Sequence, residues 1–220
     1  PIVAGGTGLY LDSLLSGRTF APFSPDGGLR ARLEARFDAL GGEAMLGELA
    51  AADPEAAARL HPNDRKRIVR ALEVFQQTGK TISQHNRETR ALPLRYDALT
   101  LSLAFQRRED MWARIDRRVD EMMAAGLAEE VRALLDSGVP VRCTAMQAIG
   151  YKEMAAALRG DGDTARAAEE IKLRSRQYAK RQLTWFRRTE GAKWLFWGPE
   201  PDFEAACRTS TKYLEEFGLV

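Results

Sequence analysis

Two hundred and twenty residues, 45% of them apolar, suffice to bury a core as one large domain or as a core with a subdomain. No apolar run approaches the ~20 residues of a membrane span and no signal peptide is visible, so a cytoplasmic chain without a membrane anchor is expected. The net charge of +2 is ordinary as a total, and Cys143 and Cys207 flank neither a CxxC nor a histidine pair, which argues against structural zinc and for reduced thiols.

The chain opens on Pro1-Ile2-Val3-Ala4, an apolar, β-branched run expected as a strand. It breaks at Gly5-Gly6, and a helical pattern begins at Thr7 and runs to about Ser16. A strand turning straight into a helix through glycines is where α/β proteins place ligands. Glycine lets the backbone come close, and the free N–H groups of the first helical turn attract anions such as phosphate. An ordinary strand–turn–helix with glycine punctuation accounts for the same residues.

Gly17 to Gly28 is a Pro/Gly/Ser-rich connection. Helical patterning resumes near Leu29, with Leu29, Leu33, Phe37 and Leu40 on a 3.6-residue period, and short alanine-rich helices follow to about Leu60. His61-Pro62-Asn63-Asp64 offers a turn and a capping residue before a helix over Arg65–Gln77. Gln77-Thr78-Gly79-Lys80 ends that helix, and Thr81–Pro93 reads as a polar loop or short helix. Gly79-Lys80-Thr81 imitates the end of a P-loop. Val74 stands where the first glycine belongs, however, and the segment follows a helix, so it is read as a helix C-cap.

Ala98–Phe105 is the second expected strand, followed by one long amphipathic helix over Glu109–Ser137 and a turn at Gly138–Cys143. Thr144–Leu158 reads as a helix, Gly160–Gly162 as its break, and Asp163 as the cap of a helix to about Arg188. Trp194–Trp197 is a short third strand and Pro201–Phe217 a final helix. The strands are short, continuously apolar and separated by helices, which favours a parallel α/β core with extra helices. Three strands make a thin sheet, as expected of a chain that lacks its first strand or two.

The charge is concentrated. From Ile171 to Glu190 seven cations face one acid, a local net charge of +6. On a helix Arg176, Lys180, Thr184 and Arg187 share a face, while Arg174, Arg181 and Arg188 recur every seven residues. Tyr178, Leu183, Trp185 and Phe186 add apolar bulk. With few acids within a helical turn, these cations are expected to stand unpaired, and a phosphate-backbone contact surface is favoured over a merely solvated helix. A second basic run, Arg65-Lys66-Arg67 with Arg70, opens a helix where cations oppose the helix dipole; Arg30 and Arg32 show the same conflict. Gln147-Ala148-Ile149-Gly150-Tyr151 lies in a helical pattern in which Gly150 serves either close helix packing or close approach of a nucleic acid. His61 and His85 stand alone and receive no catalytic role.

Four segments, GGTGLY (Gly5–Tyr10), HPND followed by KRIVRALEV (His61–Val74), AIGYKEM (Ala148–Met154) and AKRQLTWFR (Ala179–Arg187), occur in the order and spacing of bacterial tRNA dimethylallyltransferases. The resemblance runs from the first residue to about Trp197. It implies an α/β fold with a P-loop NTPase-like parallel sheet core, its N-terminal part missing here, and a helical insertion domain over residues 27–92. Residues 1–26 and 93–220 then make the core. It further implies transfer of a dimethylallyl group from dimethylallyl diphosphate to N6 of adenosine 37 in the tRNA anticodon stem-loop, releasing diphosphate with Mg²⁺ as cofactor. A monomer is expected.

By motif, Thr7 lines the channel and touches the flipped adenine, and Gly5 and Gly6 form the diphosphate-side wall. Arg30, the run Lys66, Arg67, Ile68, Val69 and Arg70, and the run Met146, Gln147, Ala148, Ile149, Gly150 and Tyr151 contact the stem-loop. So do Lys180, Arg181, Gln182, Leu183, Thr184, Trp185, Phe186 and Arg187. The family's P-loop and general-base Asp precede GGTGLY and have no counterpart in this chain; Asp12 sits inside the helix after the motif and is not that base. MQAIG stands where an Arg-Cys-Val-Gly type of sequence is commoner. The chain as given is therefore expected to be inactive in transfer, and prenylation of free adenine nucleotides or RNA binding without catalysis are the alternatives.

Overall fold

Glycines and side-chain caps decide where the helices stop in the computed structural model, which describes residues 1–17 and 27–219. The Pro/Gly/Ser-rich connection expected after Gly17 falls mostly on residues 18–26, outside that description. The chain divides into two compact units, Leu9–Ala98 and Pro1–Gly8 with Leu99–Val220.

The first unit is helical: α1 (Gly8–Leu15, continued from the preceding glycines), α2 (Gly27–Ala52), α3 (Pro54–Ala57), α4 (Arg65–Thr78) and α5 (Ile82–Arg90). Helix α2 breaks direction at Gly41, whose φ of 81° only glycine adopts cheaply. That turn brings Leu33 from one half and Met45 and Leu49 from the other onto Ile68, Val69 and Leu72 of α4, all nearly inaccessible to solvent. Leu40, just before the break, is 56% exposed and lies outside this core. Asp53 ties the unit together, because one carboxylate oxygen accepts the Ala56 N–H and the other the Ser83 N–H at the start of α5. Burial alone would raise the Asp53 carboxyl, but these hydrogen bonds outweigh it and hold the group below its usual range. Gly79 closes α4 in the left-handed conformation with its N–H on the Phe75 carbonyl, and Thr81 opens α5 with a capping box. The P-loop mimic is thus a C-cap followed by an N-cap. Asp64 precedes α4, yet its side chain accepts from the His61 N–H instead of capping the helix.

The second unit contains strands β1 (Leu101–Phe105) and β2 (Lys193–Trp197), paired in parallel from Leu101↔Lys193 to Phe105↔Trp197. Between them run α6 (Arg108–Ala124), α7 (Leu127–Asp136), a 3₁₀ turn (Ala145–Gln147), α8 (Tyr151–Arg159) and α9 (Thr164–Phe186), and α10 (Phe203–Phe217) follows. The parallel arrangement agrees with the sequence expectation, while three details do not. Pro1–Ala4 is not a strand: among the described residues β1 and β2 pair only with each other, and Ile2 is 98% exposed with no neighbour to complete its hydrogen bonds. The single helix expected over Glu109–Ser137 is two, because Gly126 takes φ 95° and starts α7 afresh. The helix expected over Thr144–Leu158 is a 3₁₀ turn and α8, divided at Gly150 (φ 105°). Both breaks fold consecutive helices back on one another around Val119, Leu127, Val131, Met146, Met154 and Ile171. Asp163 caps α9 as expected, accepting the Arg166 N–H at 2.9 Å.

Candidate functional site

The glycine-rich opening and the end of α9 lie 176 residues apart in sequence and touch in the fold. The Gln182 side-chain amide donates to the Gly6 carbonyl at 2.9 Å. A Cβ on Gly6 would stand 1.9 Å from Gln182 Nε2, and one on Gly8 would stand 2.1 Å from Trp185 Cδ1. Gly8 is therefore required by the Trp185 ring, whereas beside Gly6 stands the movable end of the Gln182 side chain. Gly5 is different: a Cβ there meets nothing within 4 Å. Thr7, between the two packed glycines, is exposed.

Helix α9 carries its cations in two groups. Near its start they are held by acids. Lys172 pairs with Asp120 of α6 at 2.7 Å and Glu169 at 2.8 Å, Arg174 with Glu170 at 2.6 Å, and Arg176 with Asp116 of α6 at 3.0 Å. Hydrogen bonds to Asp120 and Glu169 push the Lys172 ammonium well above the usual lysine range. The expectation that all seven cations stand unpaired is corrected for these three: Glu169 and Glu170 lie just before the charged stretch, and Asp116 and Asp120 come from the neighbouring helix. Lys180, Arg181, Arg187 and Arg188 are exposed and make no ion pair among the described residues, Arg181 resting over the Tyr178 ring at 5.6 Å. Tyr178 and Trp185, each 39% exposed, interleave with them. Cations interleaved with partly exposed aromatic rings suit a single-stranded nucleic acid, whose phosphates and bases need both. Leu183 and Phe186 are half-buried, and the Thr184 hydroxyl donates to the Lys180 carbonyl at 2.8 Å.

The segment before α8 presents a short exposed run. Gln147, Ala148 and Ile149 are exposed, whereas Met146 is in the core at 1%. Gln147 donates to the Val141 carbonyl at 2.8 Å, and the Gly150 N–H is capped by Glu153 at 2.9 Å. A Cβ on Gly150 would meet only Met122 Cε at 3.7 Å, so neither close helix packing nor lack of room explains this glycine; its positive φ does. Tyr151 donates its hydroxyl to Glu130, and that bond, with burial and the carboxylate charge, raises the phenol above its usual range.

In the other unit, Lys66 and Arg67 are exposed and without ion pairs among the described residues. Arg30 and Arg70 converge on Glu73, which is 2% exposed, at 3.2 and 2.7 Å. Ile68 and Val69 are core residues, so their side chains face Leu33, Met45 and Leu49 and not a partner. Sequence reasoning missed Glu73 as the anchor of two arginines. Its signal is the i, i+3 spacing from Arg70 on a face otherwise apolar.

The IPP transferase family model matches residues 1–189, spanning both units. The chain belongs to the IPP transferase family. Among IPP transferase relatives, tRNA dimethylallyltransferase 1 of Trichlorobacter lovleyi is 50% identical over 195 residues, covering 89% of this chain and 63% of that protein. The tRNA dimethylallyltransferase of Bacillus subtilis is 43% identical over 204 residues, covering 93% and 64%. Among solved structures, the full-length tRNA isopentenylpyrophosphate transferase of Bacillus halodurans superposes with TM-score 0.61 at 34% identity, over 96% of this chain and 64% of that one. A eukaryotic dimethylallyltransferase acting on tRNA gives TM-score 0.72 at 27% identity, over 98% and 57%. The helix-rich α/β architecture with its small parallel sheet is thus that of known IPP transferases, and the chain spans about 63% of the length of the first of these relatives. Among the described residues no group of three His, Cys, Asp or Glu side chains is arranged to hold a metal ion. The Mg²⁺ implied by the family thus has no three-ligand protein site among the described residues. No helix among the described residues is long and apolar enough to cross a membrane.

Proposed function

We propose that this chain supplies the acceptor-side wall and RNA-contacting surfaces of a tRNA dimethylallyltransferase. In the reaction, N6 of adenosine 37 attacks the allylic carbon of dimethylallyl diphosphate, the carbon–oxygen bond to diphosphate breaks, and the N6 proton passes to a base. The observation that supports this reading is the contact of Gly6 with Gln182 and of Gly8 with Trp185, because the exposed Thr7 lies between those two glycines in the chain. A reactive base must leave its stack to reach a buried donor, and a single-stranded anticodon loop makes that inexpensive.

Thr7 then contacts the extruded adenine, and Gly5 and Gly6 line the diphosphate side with backbone amides. Lys180, Arg181 and Arg187 hold phosphates while the exposed Gln147, Ala148 and Ile149 meet loop bases; Met146, a core residue, does not. Lys66 and Arg67, exposed and without ion pairs among the described residues, meet RNA directly; Arg30 and Arg70 reach it from their anchor on Glu73. We further read the parallel sheet as part of a P-loop NTPase-like core and the helices within residues 27–92 as the insertion domain. The P-loop and base that complete the chemistry are not among these 220 residues.

The test is binding of an anticodon stem-loop RNA with adenosine at position 37. Affinity that falls steeply with salt and is indifferent to AMP is expected. Tighter binding of AMP than of the stem-loop would transfer the reading to free nucleotides. Binding blind to the base at position 37 would leave an RNA-binding protein without acceptor choice.

A further inference from the structure

Gln182, within the basic helix end, has its polar head committed to a distant part of the chain. Its Nε2 donates to the Gly6 carbonyl at 2.9 Å, and its carboxamide occupies the space that any Cβ on residue 6 would need. The neighbouring cations Lys180, Arg181 and Arg187 reach solvent, whereas Gln182 is half-buried under the glycine loop. One turn along, the Trp185 ring fills the space beside Gly8 in the same way. Thr7 is thus held from both sides: Gln182 acts on the carbonyl of the peptide that includes the Thr7 N–H, and Trp185 acts on the residue that follows. Planarity of that peptide passes the constraint directly to the Thr7 Cα, because only φ and ψ remain soft.

We propose that Gln182 is a positioning residue and not an RNA contact: its side-chain amide, bonded to the Gly6 carbonyl, fixes the glycine loop and so sets where the Thr7 hydroxyl stands. This deepens the reading of Thr7 as the adenine-contacting residue and rests on it. The bond couples the loop to the helix on which RNA seats, so acceptor binding and placement of Thr7 share one rigid body. A glutamine is suited to this task because it reaches a backbone carbonyl with a neutral donor, adding no charge to compete for phosphate.

The test uses the isotope-labelled 220-residue chain, with Gln182→Ala and Gln182→Glu and an anticodon stem-loop RNA as probe. Gln182→Glu keeps the volume but has no N–H to donate at neutral pH, so a packing role survives it and a hydrogen-bonding role does not. In both variants the Gly6 carbonyl and Thr7 amide resonances are expected to move, and backbone order at Gly6–Gly8 to fall from about 0.85 to below about 0.6. Signals of β1 and β2 are expected to hold in both variants, and stem-loop affinity to within about twofold in Gln182→Ala, the variant that adds no charge to the phosphate-holding surface; only that variant is read for RNA affinity. A Gln182→Glu variant whose Gly6 and Thr7 signals match the unaltered chain overturns the proposal. So does loss of the β1 and β2 signals along with them, which would make Gln182 general scaffold. Stem-loop binding weakened tenfold or more with the loop still ordered overturns it too, because Gln182 would then be an RNA contact. Failure of the unaltered chain to bind the stem-loop counts against the proposed function alone, since the loop signals are read without RNA.

Discussion

Gly5, Gly6 and Gly8 look alike in sequence and differ in what surrounds them. Gly8 has an aromatic ring 2.1 Å from where a Cβ would sit, and Gly5 has nothing within 4 Å. Gly8→Ala is therefore expected to cost about 1–3 kcal/mol, as overpacking does. Gly5→Ala is expected to stay within about 0.5 kcal/mol, as an open surface site does. Urea unfolding followed by tryptophan emission separates the two. Glu73 makes a different case, because its carboxylate is buried while the side chains of its cations, Arg30 and Arg70, are 43% and 30% exposed. Glu73→Gln leaves two guanidinium groups facing a neutral amide, and a loss of about 1–3 kcal/mol is expected, at the low end because of that exposure. An equal stability for the Gln variant would show that the arginines carry their own solvation.

At the scale of one element, α9 is divided by its partners. Replacing Lys180, Arg181 and Arg187 with Ala is expected to flatten the salt dependence of stem-loop binding by about 0.7–0.9 log units for each phosphate no longer neutralised. Replacing Lys172, Arg174 and Arg176 is expected to leave that slope unchanged and to lower stability, because these side chains bind Asp120, Glu170 and Asp116. Equal slopes for the two triples would place the RNA surface elsewhere. The start of α8 is set by Gly150, and Gly150→Ala at φ 105° is expected to cost roughly 1–3 kcal/mol in backbone strain, read as a lower urea midpoint.

At the scale of the whole molecule, each core is built from its own unit's residues, and the two units are separately visible. All four tryptophans, at positions 112, 185, 194 and 197, lie in the unit that contains the sheet, while Asp53 lies in the other. The Asp53 carboxyl is held below its unfolded value of about 3.9. Its contribution is therefore complete above that pH and is lost as the pH falls through the lower folded value. Asp53→Asn is expected to lose about 1–2 kcal/mol at neutral pH, as a cap does, and to show a shallower loss below about pH 4. Circular dichroism is expected to register this and tryptophan emission is not. A matched shift in both signals would mean that the two cores unfold as one.

Much of the fold was legible locally. Capping by Asp163, the left-handed Gly79 and the apolar runs of β1 and β2 are properties of a few consecutive residues and appear where the sequence places them, whereas the equally apolar Pro1–Ala4 forms no strand. Gly126 and Gly150 were equally visible but were absorbed into helical patterns, since periodicity continues across a break that only backbone angles reveal. The candidate site was legible as motifs and not as geometry. By itself the sequence determined which residue types cluster near Gly5 and near Lys180, and the resemblance they carry. Only the tertiary structure decided that Gln182 holds Gly6, that Glu73 gathers Arg30 and Arg70, and that three of the seven cations from Lys172 to Arg188 are neutralised from α6 or the preceding turn. Those outcomes depend on how helices distant in sequence pack, and no local period or spacing encodes the distance between two side chains on different helices.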